Sequence, residues 1–237
     1  MVWQQIIEGS AVRYLKGGAL GVAEDHTDRR PRNFTRELIQ QGLVRRLFLE
    51  CDSSDQPAIN KAVKRPKDSP DYEAAIAKIV DESGPKPYDN KVTLGEVAIF
   101  ALKNLVPVHF IDLEIKSKTH PGNVAKRDEH AAELFKRITA RHGPVGCLLL
   151  FGGAHFVGGT DTYRGGGRCL GDLLDLSYVF MQPRFEIYQD ARDKYRFRLR
   201  AETGEPIATS RSYATRAEAL ARIKAVKRAA AKAHVPE

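Results

Sequence analysis

The sequence predicts an α/β fold, a mainly parallel sheet flanked by helices, followed by a small α+β unit of three antiparallel strands and one helix. Short apolar runs alternate with amphipathic stretches of helical length as far as Met181. Beyond Pro183 the hydrophobic period changes to two. The domains expected are therefore 1–182 and 183–237.

The first strand is expected at Leu20-Gly21-Val22-Ala23, the second at Leu47-Phe48-Leu49, the third over Val106 to Ile111 and the fourth over Val145 to Phe151. Each is short, rich in Val, Ile, Leu or Phe, and bounded by polar residues or Gly and Pro, as buried strands are. Asn33 to Gln41 reads as a helix through Phe34, Leu38 and Ile39, with Gly42 as its stop. Ser69 suits the cap of a helix from Pro70 to about Val80. Thr93-Leu94-Gly95-Glu96 is a capping box for a helix to Leu105. Arg127 to His142 presents Leu134, Phe135 and Ile138 on one face and stops at Gly143-Pro144. The order β-α-β-α-α-β-α-β implies right-handed crossovers in a parallel sheet. Two stretches read as long loops, Cys51 to Ser69 and Gly158 to Gly167, the second placed to close over a site. Leu173 to Met181 reads as a further strand. In the small unit the strands are Phe185 to Gln189, Tyr195 to Arg200 and Ile207 to Ser210, with a turn at Glu202 to Glu205. Thr215-Arg216-Ala217-Glu218 then opens a helix through Leu220, Ile223 and Val226.

Apolar residues make up 42% and charged residues 29%, values of a globular chain. Nothing approaches the ~18 consecutive apolar residues of a membrane span. Glu8 interrupts the first ten residues where a secretory signal needs an apolar core, so the expected address is cytoplasmic, with signal-less export left open. Cys51, Cys147 and Cys169 show no zinc or CxxC spacing and are read as reduced, Cys147 in the core and the others in loops. From Arg184 onward there are 13 Lys and Arg against 7 Asp and Glu, so +6 of the +8 net charge belongs to the small unit. A solvated helix face explains that charge, and nucleic acid is not the expected partner.

The polar residues that follow the strands carry the functional reading. Glu24, Asp25 and His26 follow the first strand, Glu50 the second, Asp112 and Glu114 the third, and His155 the fourth after Gly152-Gly153. In parallel strands all these ends lie on one edge, where open α/β sheets bind ligands. Glu24, His26, Glu50 and His155 can bind a divalent metal through mixed N and O donors, or set His26 as a general base oriented by a carboxylate. Gly153 sits in a turn able to offer backbone N–H groups to an oxyanion. Lys116, Lys118, Lys126 and Arg127 could rim an anion site. His109, inside a strand, reads as a packed core histidine; His120, His130, His142 and His234 read as surface residues. No dinucleotide fingerprint, P-loop lysine or Gly-x-Ser-x-Gly elbow is present.

Gly21-Val22-Ala23-Glu24-Asp25-His26 with Leu47-Phe48-Leu49-Glu50 resembles the "Gly-Glu-x-His … Glu" opening of the erythromycin esterase, ChaN and TraB-like superfamily. Arg127-Asp128-Glu129-His130-Ala131-Ala132 resembles its "Arg-Asn/Asp-x-x-Met-Ala" helix start, and Gly152-Gly153-Ala154-His155-Phe156 its closing strand and loop. Ala23 replaces the glycine that normally precedes the first acid, and His130 replaces the methionine. A domain of large dermonecrotic-type toxins is similar in its "Glu-x-His … Leu-Phe-Leu-Glu" pattern. The resemblance implies an esterase, peptidase or heme-binding role. His26 would be the base or a metal ligand, Arg127 would hold an anionic group with Asp112 and Gly153 at the substrate, and His155 would be a second imidazole. From Phe185 through Tyr213 the small unit resembles the YegP-like family, whose tandem copies pack together, which implies pairing between two chains.

The expected function is hydrolysis of an ester, amide or phosphoester bond, metal-dependent or metal-free, acting on a small-molecule or peptide substrate. The alternatives are a heme- or small-anion-binding module and a bacterial toxin or effector.

Overall fold

The computed structural model describes residues 11–26, 28–69, 71–85, 92–113, 121–156, 168–181, 184–201 and 206–230, the side chains at 121–123 and 184 excepted. The chain divides into two compact units, Met1–Met181 and Gln182–Glu237.

The larger unit holds a five-stranded sheet of β1 (Ala19–Glu24), β2 (Arg46–Asp52), β3 (Val108–Asp112), β4 (Cys147–Gly152) and β5 (Ser177–Phe180). Their spatial order is β3-β2-β4-β1-β5, and every neighbouring pair is parallel. A helix over 11–17 (α1) precedes β1. Next come α2 (Arg30–Gln40), α3 (Gln56–Ala62), α4 (Asp71–Ser83), α5 (Leu94–Lys103), α6 (Pro121–Thr139) and α7 (Leu170–Leu174).

Successive strand residues point to opposite faces, and both faces are covered. Leu20, Val22, Leu47, Leu49, Leu148 and Leu150 pack with Phe34 and Leu38 of α2, Ile76 and Val80 of α4, and Val97 of α5. Ala23, Phe48, Leu149 and Phe151 pack with Ala131 and Phe135 of α6 and with Phe156 and Leu170. Each such leucine or phenylalanine contributes about 1.5–3 kcal/mol by leaving water. Because both sheet faces are apolar, polar side chains are displaced to the strand ends.

Several local expectations are corrected. The stretch from Cys51 to Ser69 is not one loop: a 3₁₀ turn at Ser53–Asp55 leads into α3, which buries Ile59 and Ala62 one turn apart. Asp52 caps the turn by accepting from the Ser54 N–H at 2.8 Å. Leu173 to Met181 is not one strand: α7 occupies its start, and β5 only Ser177–Phe180. The Cys169 sulfur accepts from the Asp172 N–H and so begins α7. Cys51 and Cys169 are as buried as Cys147. α6 begins at Pro121, six residues before Arg127. The capping box opening α5 is present, with the Glu96 N–H donating to Thr93 Oγ1 at 3.1 Å and the Thr93 N–H to Glu96 Oε2 at 2.9 Å. His109 stacks on Phe48 at 5.1 Å, and burial lowers its pKa to about 4.

β3 is an outer strand, yet two of its outward-facing backbone groups are occupied. The Phe110 N–H donates to Gln56 Oε1 at 2.6 Å, and Gln56 Nε2 donates to the Val108 carbonyl at 3.2 Å.

In the smaller unit β6 (Arg184–Gln189), β7 (Tyr195–Arg200) and β8 (Pro206–Thr209) form an antiparallel sheet, and α8 (Arg216–Ala230) covers one face. Its core is Phe197 with Ala219 and Ile223, flanked by Phe185, Ile187 and Tyr213. No helix among the described residues is long and apolar enough to cross a membrane.

Candidate functional site

The carboxyl ends of β1, β4 and β2 lie side by side, and β4, between the other two, ends in Gly152. A Cβ at Gly152 would stand 3.1 Å from both His26 Nε2 and Glu50 Oε2. The missing side chain therefore makes the space in which the His26 ring meets Glu50.

Glu24 ends β1 with its side chain 1% exposed. It is held from two sides. Arg32, in the first turn of α2, donates Nε to Oε2 at 2.9 Å and Nη2 to Oε1 at 3.0 Å. His26 Nδ1 shares a proton with Oε1 at 2.7 Å. Arg32 Nη1 also donates to the Val92 carbonyl at 2.8 Å, and its side chain is wholly buried. A fully buried guanidinium needs such complete pairing.

Glu50 ends β2 and carries a second network. The Gly152 N–H donates to its Oε2 at 2.6 Å, Arg127 Nη2 to its Oε1 at 2.6 Å, and His155 Nε2 lies 3.2 Å from the same oxygen. Arg127, from α6, also grips Asp112 at the end of β3, through Nε at 2.7 Å and Nη2 at 2.6 Å. His155 Nδ1 pairs with buried Asp128, the residue after Arg127. His26 Nε2 lies 3.9 Å from Glu50 Oε2 and joins the two networks.

Burial opposes the Glu24 carboxylate, but hydrogen bonds from His26 and Arg32 outweigh it and lower its pKa. Burial opposes Glu50 likewise, and the charges and hydrogen bond of His155 and Arg127 hold it well below the ordinary value. Burial works against the protonated forms of both histidines. The Glu24 bond and the Glu50 charge raise His26 nonetheless. Glu50 and Asp128 lift His155 to about 9. At neutral pH His155 is thus an imidazolium locked between two acids. Among the described residues, Glu24, Glu50, Asp112 and Asp128 are cross-bonded to Arg32, Arg127, His26 and His155. His26 has the most exposed side chain of these groups for which exposure decides access, 27% against 4% for His155.

The structure brings together Glu24, His26, Glu50, Asp112, Arg127 and His155, and it changes several assigned roles. Arg127 is not placed to hold a substrate anion: its side chain is 8% exposed and bonded to two carboxylates. His155 is not a second working base, since its side chain is 4% exposed and both ring nitrogens are within hydrogen-bond reach of acids, whereas His26 is 27% exposed and its Nε2 stands 3.9 Å from Glu50. The proposed metal donors Glu24, His26, Glu50 and His155 do not fit a divalent ion. Arg32 and Arg127 already occupy the carboxylate oxygens, and no group of three or more metal-ligating side chains is arranged for an ion among the described residues. Heme fits no better, because His155 is buried and doubly paired. Gly153 makes room for packing: a Cβ there would lie 2.7 Å from the Phe180 ring. His130 is half-buried and bonded to Ser53 Oγ at 2.9 Å, unlike the surface residue expected. Glu114, Lys116, Lys118, His120, His234, the loop Gly158 to Gly167 and the turn Glu202 to Glu205 lie outside the described residues.

Arg32 and Asp128 are the members that sequence reasoning missed. A signal for Arg32 exists in its place on the apolar face of α2, one turn before Thr35 and two before Ile39. Asp128 was marked by its adjacency to Arg127 and by the Asn/Asp position it fills in the "Arg-Asn/Asp-x-x-Met-Ala" pattern.

Comparison with known proteins places the smaller unit. A family described as a domain of unknown function (DUF1508) matches residues 190–237. A UPF0339 protein of Treponema denticola is 44% identical over 57 residues, which is 24% of this chain and 98% of that protein. A UPF0339 protein of Agrobacterium fabrum is 44% identical over 45 residues, 19% of this chain and 73% of that one. The NMR solution structure of a protein from Haloferax volcanii, 40% identical, covers 24% of this chain and 95% of its own, with a TM-score of 0.22. Over more of the chain, the type III effector HopBA1 is 14% identical, covering 79% of this chain and 87% of its own at a TM-score of 0.49. A structure titled "Bacterial protein toxins" is 16% identical, covering 78% of this chain and 36% of its own at a TM-score of 0.49. Through its C-terminal unit, this chain belongs to the UPF0339 (DUF1508) family.

Proposed function

We propose that the larger unit hydrolyses a carboxyl ester or amide, with His26 as general base. The observation that carries this reading is the Glu24–His26 pair at 2.7 Å beside an otherwise buried, cross-bonded cluster. Glu24 Oε1 orients the ring and stabilises its protonated form, as a carboxylate does behind a catalytic imidazole. The Glu24 hydrogen bond and the Glu50 charge favour the protonated ring, so a proton taken from water is stabilised on His26. The water oxygen then attacks the carbonyl carbon, and the imidazolium returns its proton to the leaving oxygen or nitrogen as the bond breaks. The resemblance of the strand-end residues to the erythromycin esterase and ChaN group supports the same chemistry. A phosphoester suits the cluster less, because Arg32 and Arg127 are both committed to carboxylates.

The test is turnover of activated and unactivated esters and amides by wild type and His26→Ala. Loss of a general base lowers the rate about 10²–10⁴-fold. Because His26→Ala also removes a partner of buried Glu24, circular dichroism of the variant separates lost fold from lost base. Equal turnover would end the assignment.

A toxin or effector role is the second reading from the residue pattern, and equal growth of host cells expressing wild type and His26→Ala would remove it. Pairing of two chains through the smaller unit is favoured by β8, whose four residues are all exposed at a sheet edge, with Ile207 59% exposed. Light scattering after column separation decides between one chain and two.

A further inference from the structure

The face of the C-terminal sheet away from α8 is, we propose, a platform for single-stranded nucleic acid. Phe197 on β7 turns inward to Ala219 and Ile223. Strand alternation therefore places Arg196, Arg198 and Arg200 together on the face away from α8. Their register partners on β6 are Tyr188, Glu186 and Arg184. Composition suggested a basic helix; the strands carry as distinct a basic surface, and one of different chemistry.

Three features favour a nucleic acid over a generic anion. The arginines recur at every second residue, about 6.6 Å apart, a step that an extended phosphodiester backbone can follow. Arg198 lies over the Tyr188 ring at 4.9 Å, so a guanidinium plane and an aromatic ring are offered together, the surfaces on which unpaired bases stack. Glu186 accepts from Arg198 Nε at 2.9 Å and Arg200 Nε at 2.5 Å, while Arg196 donates Nε and Nη2 to the Ser210 carbonyl. These bonds hold long side chains in place before any ligand arrives, which reduces the entropy lost on binding. A guanidinium has five N–H donors, and Arg198 gives Glu186 only Nε. The helix α8 carries no aromatic residue of its own, and its Lys227 lies over Phe185, which packs against the small core and not on the arginine face.

The test is fluorescence anisotropy of the full chain with labelled oligouridylate and oligothymidylate, against a duplex of equal length, at about 50 mM salt and upward. Three phosphate contacts give a log–log salt slope of about −2 on a single strand. Arg198→Ala should weaken binding about tenfold and flatten that slope by about 0.7. Arg198→Lys, which keeps the charge, should retain the slope. Tyr188→Ala should weaken single strands about tenfold and spare the duplex. The double variant Arg222→Ala, Lys224→Ala on α8 should change little. Absence of binding at low salt would overturn the proposal. So would tighter binding of duplex or of polyglutamate than of either single strand, or a larger loss from the α8 variant than from Arg198→Ala. Circular dichroism of each variant separates lost binding from lost fold.

Discussion

Replacing His155 by Gln should remove a pH dependence of stability whose size follows from its surroundings. Glu50 and Asp128 lift the imidazole from its ordinary 6.5 to about 9 in the folded chain. That rise corresponds to about 3 kcal/mol of preferential binding of the proton by the native state. The group is buried, so solvent screening takes little from it. Its contribution is fully present below pH 6.5, where both states are protonated. Above that value only the native state keeps the proton, so stability falls by about 1.4 kcal/mol per pH unit until the folded group titrates near 9. Urea unfolding followed by circular dichroism should show wild type losing about 3 kcal/mol more than His155→Gln across this window. Burial also raises the Cys51 thiol and the Tyr72 phenol, but both remain in the variant and cancel in the difference. The variant should be weaker at neutral pH, by about 3–5 kcal/mol, because buried Asp128 and Glu50 lose the imidazolium between them. Parallel stability curves for the two proteins would refute the reasoning. So would a ring titration by NMR in which no wild-type histidine keeps its proton above pH 8.

Glu24→Gln removes the anion that raises His26, so the acid limb of the hydrolysis profile should move to lower pH; a profile of unchanged midpoint would count against the pair. Gly152→Ala places a methyl 3.1 Å from His26 Nε2 and Glu50 Oε2, and should lower turnover at least tenfold while the free energy of unfolding changes by about 2 kcal/mol or less. Gly21→Ala would bring a methyl within 2.5 Å of the Phe156 ring between sheet and helix layer; a loss of about 1–3 kcal/mol in chemical denaturation is expected, and no loss would show that the ring yields freely.

The strand ends were legible because the rule behind them is local: a run buried on both faces expels its acids and histidines to its carboxyl end. Glu24, Glu50, Asp112 and His155 could be named that way. What each was bonded to could not. Arg32 stands in the run Arg29-Arg30-Pro31-Arg32, where only its helical spacing to Thr35 and Ile39 separates the wholly buried guanidinium from exposed Arg29 and Arg30. Arg127 looked like a substrate clamp because its contacts, Asp112 and Glu50, come from strands 15 and 77 residues away. Those same contacts displace the metal that a Glu/His set suggests in isolation. α3 escaped notice because seven residues with inward side chains at Ile59 and Ala62 are too few to set a helical period. The alternation of β6 and β7 is plain in the sequence, but which of its two faces lies under a helix depends on the packing of Phe197 against Ala219 and Ile223 of α8.

Gln56 has a consequence for how the molecule can associate. With one amide it reproduces the donor and acceptor that an incoming chain would present to β3, satisfying Phe110 and Val108 from within. An outer strand of aliphatic and aromatic residues would otherwise be a template for runaway polymerisation. One side chain, set by a seven-residue helix, thus acts as a chain terminator for the sheet. A hydrophobic replacement there would alter colloidal behaviour at high concentration before it altered the folded monomer.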